Sequence, residues 1–215
     1  MANVTIVALE PFGTAVAGYF SLLFSEDSLQ VLRSTDELSE LHYPTSSVLV
    51  YATAAEDFEI SETVERFASH ENTSFIPLIF DGTRLQVGPI LVPGLHGCLQ
   101  CYKLRTVQQE SRAGFKEALA SSYRSGHTQR PKGYLDCFAA MGASRLRELL
   151  TLLAVKPEEA NGLIWSLNVF DGTVEMGRLE GIHDCPQCSS PHQNADEQTY
   201  LRLRRALSLQ SLEHC

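Results

Sequence analysis

The sequence of residues 87–105 is VGPILVPGLHGCLQCYKLR, which joins the end of a predicted strand to a C-x-x-C pair. A second pair, CPQC, occupies residues 185–188, about 80 residues later. Two residues between cysteines let a tight turn direct both sulfurs to one tetrahedral ion, and two such pairs complete a closed zinc site. We therefore expect a structural zinc that joins distant parts of one domain. The predicted ligands are Cys98, Cys101, Cys185 and Cys188.

Two other uses of paired cysteines stay open at this stage, a pair of disulfides and a redox-active C-x-x-C. A thioredoxin-like pair would open a helix in a small βαβ domain, a context that the sequence indicates for neither pair. The N-terminus lacks the basic region of a signal peptide, and no apolar run is long enough to span a bilayer. We therefore expect a cytoplasmic protein with reduced cysteines and no membrane partner, which favours the metal.

Composition excludes some classes of function. The chain has 215 residues, 44% of them hydrophobic and 20% charged, which is typical of a globular domain. Its 17 basic and 26 acidic side chains give a net charge of −9. A chain so acidic lacks the positive field that nucleic-acid binding needs, so we expect no nucleic-acid partner. We predict one zinc-binding domain over residues 1–190, followed by a polar linker and a helix in residues 191–215.

The first half of the chain alternates strands with helices, which predicts an α/β fold with a Rossmann-like, doubly wound parallel sheet. A tight turn at Asp81-Gly82 leads into the last of these strands, which continues to the first cysteine pair. The predicted strands are Val4–Leu9, Leu29–Leu32, Ser47–Ala52, Phe75–Phe80 and Leu85–Leu91, and the predicted helices are Thr14–Phe24 and Ser61–His70, with a brief helix from Ser34 to Leu41.

The second half predicts a crossover loop, a helix and a hairpin that leads to the second cysteine pair. Leu146, Leu149, Leu150 and Leu153 fall at helical spacing. The predicted elements are the loop Thr106–Lys132, the helix Tyr134–Leu153, the hairpin strands Leu163–Phe170 and Val174–Leu179, and a last helix Glu197–Leu212.

Several segments together resemble one protein family. They are the stretch of residues 87–105, Leu163–Asn168, Asp171–Thr173 and Cys185–Cys188, which follow the Rossmann-like beginning in this order. The set resembles the ThiF-like, ubiquitin-activating-enzyme-like partner proteins of YcaO cyclodehydratases, which make azole-modified, bacteriocin- or microcin-type ribosomal peptides. The resemblance implies a partner role. In that family YcaO supplies the ATP chemistry that converts Cys, Ser or Thr to azolines, and the ThiF-like protein grips the leader peptide of the precursor.

The chain departs from this family at the turn after the first strand, residues 10–15, EPFGTA. Nucleotide-using relatives carry several glycines there, so that backbone amides approach phosphate closely; here only Gly13 remains. Glu10 and Phe12 add negative charge and bulk at the same place. We therefore expect no catalytic residues and no nucleotide site, and predict a non-catalytic scaffold. An active ATP-dependent adenylating enzyme, and a zinc-stabilised binding module unrelated to peptide modification, remain as alternatives.

A second departure concerns the leader peptide. Leader-binding members of the family begin with a small winged-helix domain, whereas the first predicted strand here begins at residue 4. The resemblance therefore implies that the chain acts with others: a precursor peptide, a YcaO-type enzyme or another complex subunit, and an identical or different copy in a dimer.

Other reactive side chains are expected to have ordinary roles. Cys137 begins an apolar helix with no histidine near it in sequence, so we expect it to be buried by packing. We expect Cys215 to be free, Arg105 to form a structural ion pair, and His96 and His183 not to bind the metal. We expect the acidic set to form a solvated helix face; its members are Glu56, Asp57, Glu59, Glu62 and Glu65.

Overall fold

A computed structural model describes residues 3–24, 28–37, 48–54, 57–109, 118–119, 121–123, 125 and 133–188. Seven strands within these ranges form one mixed sheet. In chain order they are β1 (Val4–Ala8), β2 (Leu29–Leu32), β3 (Val48–Thr53), β4 (Ser74–Phe80), β5 (Arg84–Val87), β6 (Leu163–Asn168) and β7 (Val174–Arg178). Their order across the sheet is β2-β1-β3-β4-β5-β6-β7.

The parallel half of the sheet follows from its sequence. Strands β1, β3 and β4 are nearly continuous apolar runs, and every one of their residues is buried, as expected where helices cover both faces. Strands β2, β1, β3 and β4 pair in parallel. Because β2 and β3 lie on opposite sides of β1, the strand order reverses there, and this reversal creates a crevice at the carboxyl ends of β1 and β3.

Helices cover the two faces of the sheet. On one face, α1 (Glu10–Ser21) and α4 (Asp136–Val155) pack on a core that includes Ile6, Val50 and Leu78. On the other face, α2 (Phe58–His70) and α3 (Leu99–Gln109) pack on Val7, Leu49 and Tyr51 together with the paired cysteines. A short helix, α5 (Pro157–Ala160), precedes β6. None of the helices in the described part of the chain is long and apolar enough to cross a bilayer.

The α/β fold, the five strands of the first half and the C-terminal hairpin are confirmed, but the sheet is not parallel throughout. Strands β4 to β7 pair antiparallel. Between β4 and β5 the reason is the short Asp81-Gly82 connection, which permits only a hairpin. The strand predicted to run to Leu91 ends at Val87, where a cis Gly88–Pro89 bond follows. Leu91 returns to the sheet only as a single bridge to Phe75.

Two helix predictions also change. The first helix begins at Glu10 rather than Thr14, with Pro11 in its first turn, so the expected turn at residues 10–13 is helical. Residues 106–109, predicted as the start of a loop, belong to α3. The last predicted helix, Glu197–Leu212, lies outside the described residues, as do residues 38–41 at the end of the brief predicted helix.

Candidate metal centre

The fold brings the two C-x-x-C turns together at one end of α3. The first turn opens this helix, because Cys98 precedes it and Cys101 lies in its first turn. The second turn follows β7, the last strand of the sheet. The first pair therefore opens a helix, which corrects the expectation that neither pair does so. The second pair lies beside this helix start, so that four sulfurs rather than two come together.

The four sulfurs are spaced as the edges of a tetrahedron. Cys98 Sγ lies 3.7 Å from Cys101 Sγ and 3.6 Å from Cys185 Sγ, and Cys101 Sγ lies 3.5 Å from Cys188 Sγ. All four sulfur atoms lie within 4.8 Å of one another. A zinc–sulfur bond of about 2.3 Å predicts edges of about 3.8 Å. The four cysteines are free thiols, three buried and Cys188 half-buried, so the cluster can hold one tetrahedral metal ion.

Backbone N–H groups lie around the sulfurs. The Ile182 N–H donates to Cys101 Sγ at 3.3 Å. The N–H group of Cys101 acts on Cys98, those of Gln187 and Cys188 act on Cys185, and that of Gly97 acts on Cys188, each in the direction that lowers the pKa of the thiol. Gly97, at φ 112°, adopts a backbone conformation that favours glycine. N–H donors stabilise the thiolate form that binds metal.

Without a cation, the electrostatics of the cluster oppose several thiolates at once. Burial raises the pKa of Cys98 and raises that of Cys188 to about 12. Burial also acts to raise the pKa of Cys185, but hydrogen bonds from Gln187, Cys188 and the neighbouring thiols outweigh it and lower the pKa to about 7. A divalent cation supplies the charge that lets all four sulfurs deprotonate.

Glu65 and Gln187 are two polar side chains beside the cluster, and the sequence did not predict their contact. The Glu65 carboxylate accepts hydrogen bonds from the Leu99 backbone N–H at 3.0 Å and from Gln187 Nε2 at 3.1 Å. Burial raises the pKa of Glu65.

Glu65 and Asp57 are buried, and Asp57 caps α2 by accepting from the N–H groups of Glu59 and Ile60. The expected solvated acidic face is therefore wrong for these two residues; Glu56 lies outside the described residues.

The segment before the first pair is held by Asn161, which was also missed. Its side chain donates to the His96 carbonyl at 2.9 Å and accepts from the Val92 N–H at 3.1 Å. His96 Nδ1 lies 3.7 Å from Cys188 Sγ, beside the cluster. His183 is exposed against Asp184. That neither histidine replaces a cysteine stays a prediction.

Cys137 and Arg105 are not members of the four-sulfur cluster. Cys137 is exposed in the first turn of α4, so the prediction of burial is wrong; the buried face of that helix begins at Ala139. Arg105 is exposed on α3. Cys215 lies outside the described residues.

The crevice between β1 and β3 contains a carboxylate of the chain itself. Glu10 has a left-handed φ of 61° and begins α1. Its Oε2 accepts from the Ala54 N–H at 3.2 Å and from Thr53 Oγ1 at 3.3 Å, across the end of β3. A helix N-terminus at this place is where doubly wound folds bind a phosphate. Here Glu10 puts a negative charge at that position.

Several solved structures share this architecture. A heterocyclase in complex with substrate and cofactor matches with a TM-score of 0.62 and 17% identity, over 89% of this chain and 26% of that one. The heterocyclase TruD gives 0.59 and 18%, over 87% and 27%. MccB of E. coli gives 0.60 and 16%, over 88% and 65%.

The chain has a ThiF/E1-like fold. It spans about a quarter of each heterocyclase and 65% of MccB. No family model and no curated protein matches the sequence. The resemblance drawn from the paired motifs is thus confirmed as a similarity of structure.

Proposed function

We propose that the chain is a non-catalytic, zinc-binding scaffold subunit of a cyclodehydratase-type complex. In this role it helps to present a ribosomal precursor peptide to a partner enzyme such as a YcaO protein. The fold supports this role, because it is shared with a heterocyclase described with its substrate and with MccB, which is described in complex with MccA. The proposal that the chain is non-catalytic rests on one observation, the position of the Glu10 carboxylate between β1 and β3.

The zinc would be held by Cys98, Cys101, Cys185 and Cys188 and would act as a cross-link. Four thiolates complete the tetrahedral coordination of zinc, so the ion has no open position for water or substrate. Its contribution is to fix α3 to the segment after β7, across 87 positions of sequence between Cys98 and Cys185. The protein's own groups, above all the backbone N–H donors, orient the sulfurs.

Glu10 is the reason for proposing that the chain lacks nucleotide chemistry. A phosphate bound at the N-terminus of α1 would meet the Glu10 carboxylate, and two like charges at close range repel each other. Phe12 is completely buried behind the same turn, where it packs on Phe80 with 5.4 Å between ring centroids. Phe12 therefore belongs to the core, and it is the Glu10 side chain, in place of a glycine-rich backbone, that lies at this helix start.

The second candidate is an ATP-dependent adenylating enzyme. It is favoured by the similarity to MccB, which is also described with ATP. ATP–pyrophosphate exchange distinguishes the two functions. We expect no exchange and no saturable Mg-ATP binding by the metal-loaded chain, with and without candidate peptide. Exchange above the protein-free blank that depends on this chain would establish the enzyme instead.

The scaffold role is tested by reconstitution with a YcaO-type protein and a short precursor peptide encoded beside this chain. Each azoline lowers the mass of the peptide by one water, so mass spectrometry counts the rings. We expect rings only when the YcaO-type protein and this chain are both present. If rings form equally well without this chain, the proposal is contradicted. The remaining interpretation is then a zinc-stabilised binding module with another purpose.

We also propose that the chain works as a homo- or hetero-dimer. Sedimentation of the chain alone and with the YcaO-type protein measures this directly. A species of twice the chain mass, or a stable complex with the second protein, is expected. A monomer under both conditions would refute this part of the proposal.

A further inference from the structure

We infer that Glu65 is the positioning residue of the metal centre, because its carboxylate joins the two C-x-x-C turns from a third element of the fold. This inference rests on the metal site of the proposed function. It concerns how the four sulfurs are held before and after the ion binds.

The two oxygens of Glu65 serve different turns. Oε1 accepts from the backbone N–H of Leu99, the residue after Cys98, and Oε2 accepts from the side chain of Gln187, the residue before Cys188. The residues that these bonds hold are 88 positions apart in sequence, and Glu65 itself lies on α2. The carboxylate is thus a hydrogen-bonded bridge between the two cysteine turns.

The Leu99 N–H makes the bridge specific. Leu99 is the first residue of α3, where the backbone N–H groups have no partner within the helix. Leu99 and Glu65 are both buried. Without the Glu65 carboxylate, the backbone N–H of Leu99 would lose its hydrogen-bond acceptor at a place that water does not reach. Glu65 therefore fixes the direction in which α3 starts, and with it the position of Cys98 and Cys101.

Substitution by glutamine and by leucine separates hydrogen bonding from bulk and charge. Glu65→Gln keeps an acceptor for Leu99 and offers an N–H to the Gln187 side-chain oxygen after that amide rotates. Glu65→Leu removes both acceptors at similar volume. Glu59→Leu on the exposed first turn of the same helix is the matched control. Gln187→Leu removes one bond at an exposed position, and it remains informative if Glu65→Leu does not fold.

The measurement is the rate at which a chromophoric chelator removes Zn²⁺ from each loaded protein, together with the thiolate spectrum of the Co²⁺ form. We expect Glu65→Leu to release the ion about tenfold or more faster than wild type, as outer partners of metal ligands do. Gln187→Leu should release it faster by a smaller factor, and Glu65→Gln and Glu59→Leu should match wild type.

The outcomes distinguish this inference from the metal site itself. A wild-type chain that binds neither Zn²⁺ nor Co²⁺ would refute the metal centre. If wild type binds the ion, equal release rates for Glu65→Leu and Glu59→Leu would overturn the positioning role. Equal acceleration by Glu65→Gln and Glu65→Leu would also overturn it, because the charge rather than the bridging hydrogen bonds would then matter.

Discussion

A methyl group added at Gly13 would lie 2.3 Å from the carbonyl oxygen of Ala52. Helix α1 therefore lies directly on the backbone of β3, with no space for a side chain between them. The glycine that the sequence retains after the first strand serves this close packing between helix and strand. It occupies the place where doubly wound nucleotide-binding folds also require a glycine for close packing, so its presence does not indicate phosphate binding.

Gly13→Ala should destabilise the fold, because the clash is with backbone that cannot move aside. Overpacking of this kind costs about 2–3 kcal/mol in free energy of unfolding. Gly18→Ala is the matched control on the same helix, since nothing lies within 4 Å of an added methyl group there. It should stabilise by about 0.5–1 kcal/mol through helix propensity. Denaturant unfolding measures both, and equal effects of the two substitutions would contradict the packing.

The hydrogen bond from the Tyr19 hydroxyl to the Asp136 carboxylate should appear in an alkaline titration. This bond joins α1 to α4 and is the main cause that raises the pKa of Tyr19 above its usual 10.0. Because the folded state holds the proton more tightly, the stabilisation is complete below pH 10 and is lost as pH rises through the folded pKa. Tyrosinate absorbance of wild type minus Tyr19→Phe should show this late titration.

Asp136→Asn provides the test of the cause. It keeps an acceptor but removes the charge, so the pKa of Tyr19 should fall toward its usual value. If Tyr19 titrates like an ordinary tyrosine in wild type, the link between α1 and α4 is contradicted.

Removal of the metal should lower the melting temperature strongly. A ligand present at about 1,000 times its dissociation constant stabilises by about 4 kcal/mol, which corresponds to about 8–16 °C for a domain of this size. Treatment with a strong chelator, and Cys98→Ser, should each cause at least this loss in a thermal melt followed by circular dichroism. Cys137→Ser, at an exposed cysteine outside the cluster, should leave the melting temperature unchanged. An unaltered melt after chelation would refute a structural ion.

Much of the fold could be predicted from local patterns. Continuous apolar runs predict β1, β3 and β4, since burial on both faces requires such sequences. The reversal of direction after β4 is indicated by the Asp81-Gly82 turn, but the antiparallel pairing of β5 with β6 was harder to predict, because a long connection separates these strands. The early start of α1 was missed because Glu10 needs a left-handed φ, and a non-glycine residue gives no sequence signal for it.

The candidate site, like the fold, could be predicted only in part. The spacing of the cysteines predicted which four sulfurs meet, because a two-residue gap has few geometries. The roles of Glu65 and Asn161 depend on contacts to residues 34 and 65 positions away, respectively. An acidic residue on an amphipathic helix and an asparagine before a strand carry no local mark of such contacts. Cys137 was misplaced because the start of an apolar helix does not fix which residues of its first turn face solvent.

The proposed scaffold depends above all on four thiolates that hold one tetrahedral ion. Its most direct test is metal stoichiometry combined with the absorption spectrum of the Co²⁺-substituted chain. We predict one ion per chain, with thiolate-to-metal charge-transfer bands and the intense visible bands of tetrahedral cobalt. Serine at any one of Cys98, Cys101, Cys185 or Cys188 should weaken them, while Cys137→Ser should not. A folded chain that binds no metal, or a cobalt spectrum unchanged by all four substitutions, would contradict it.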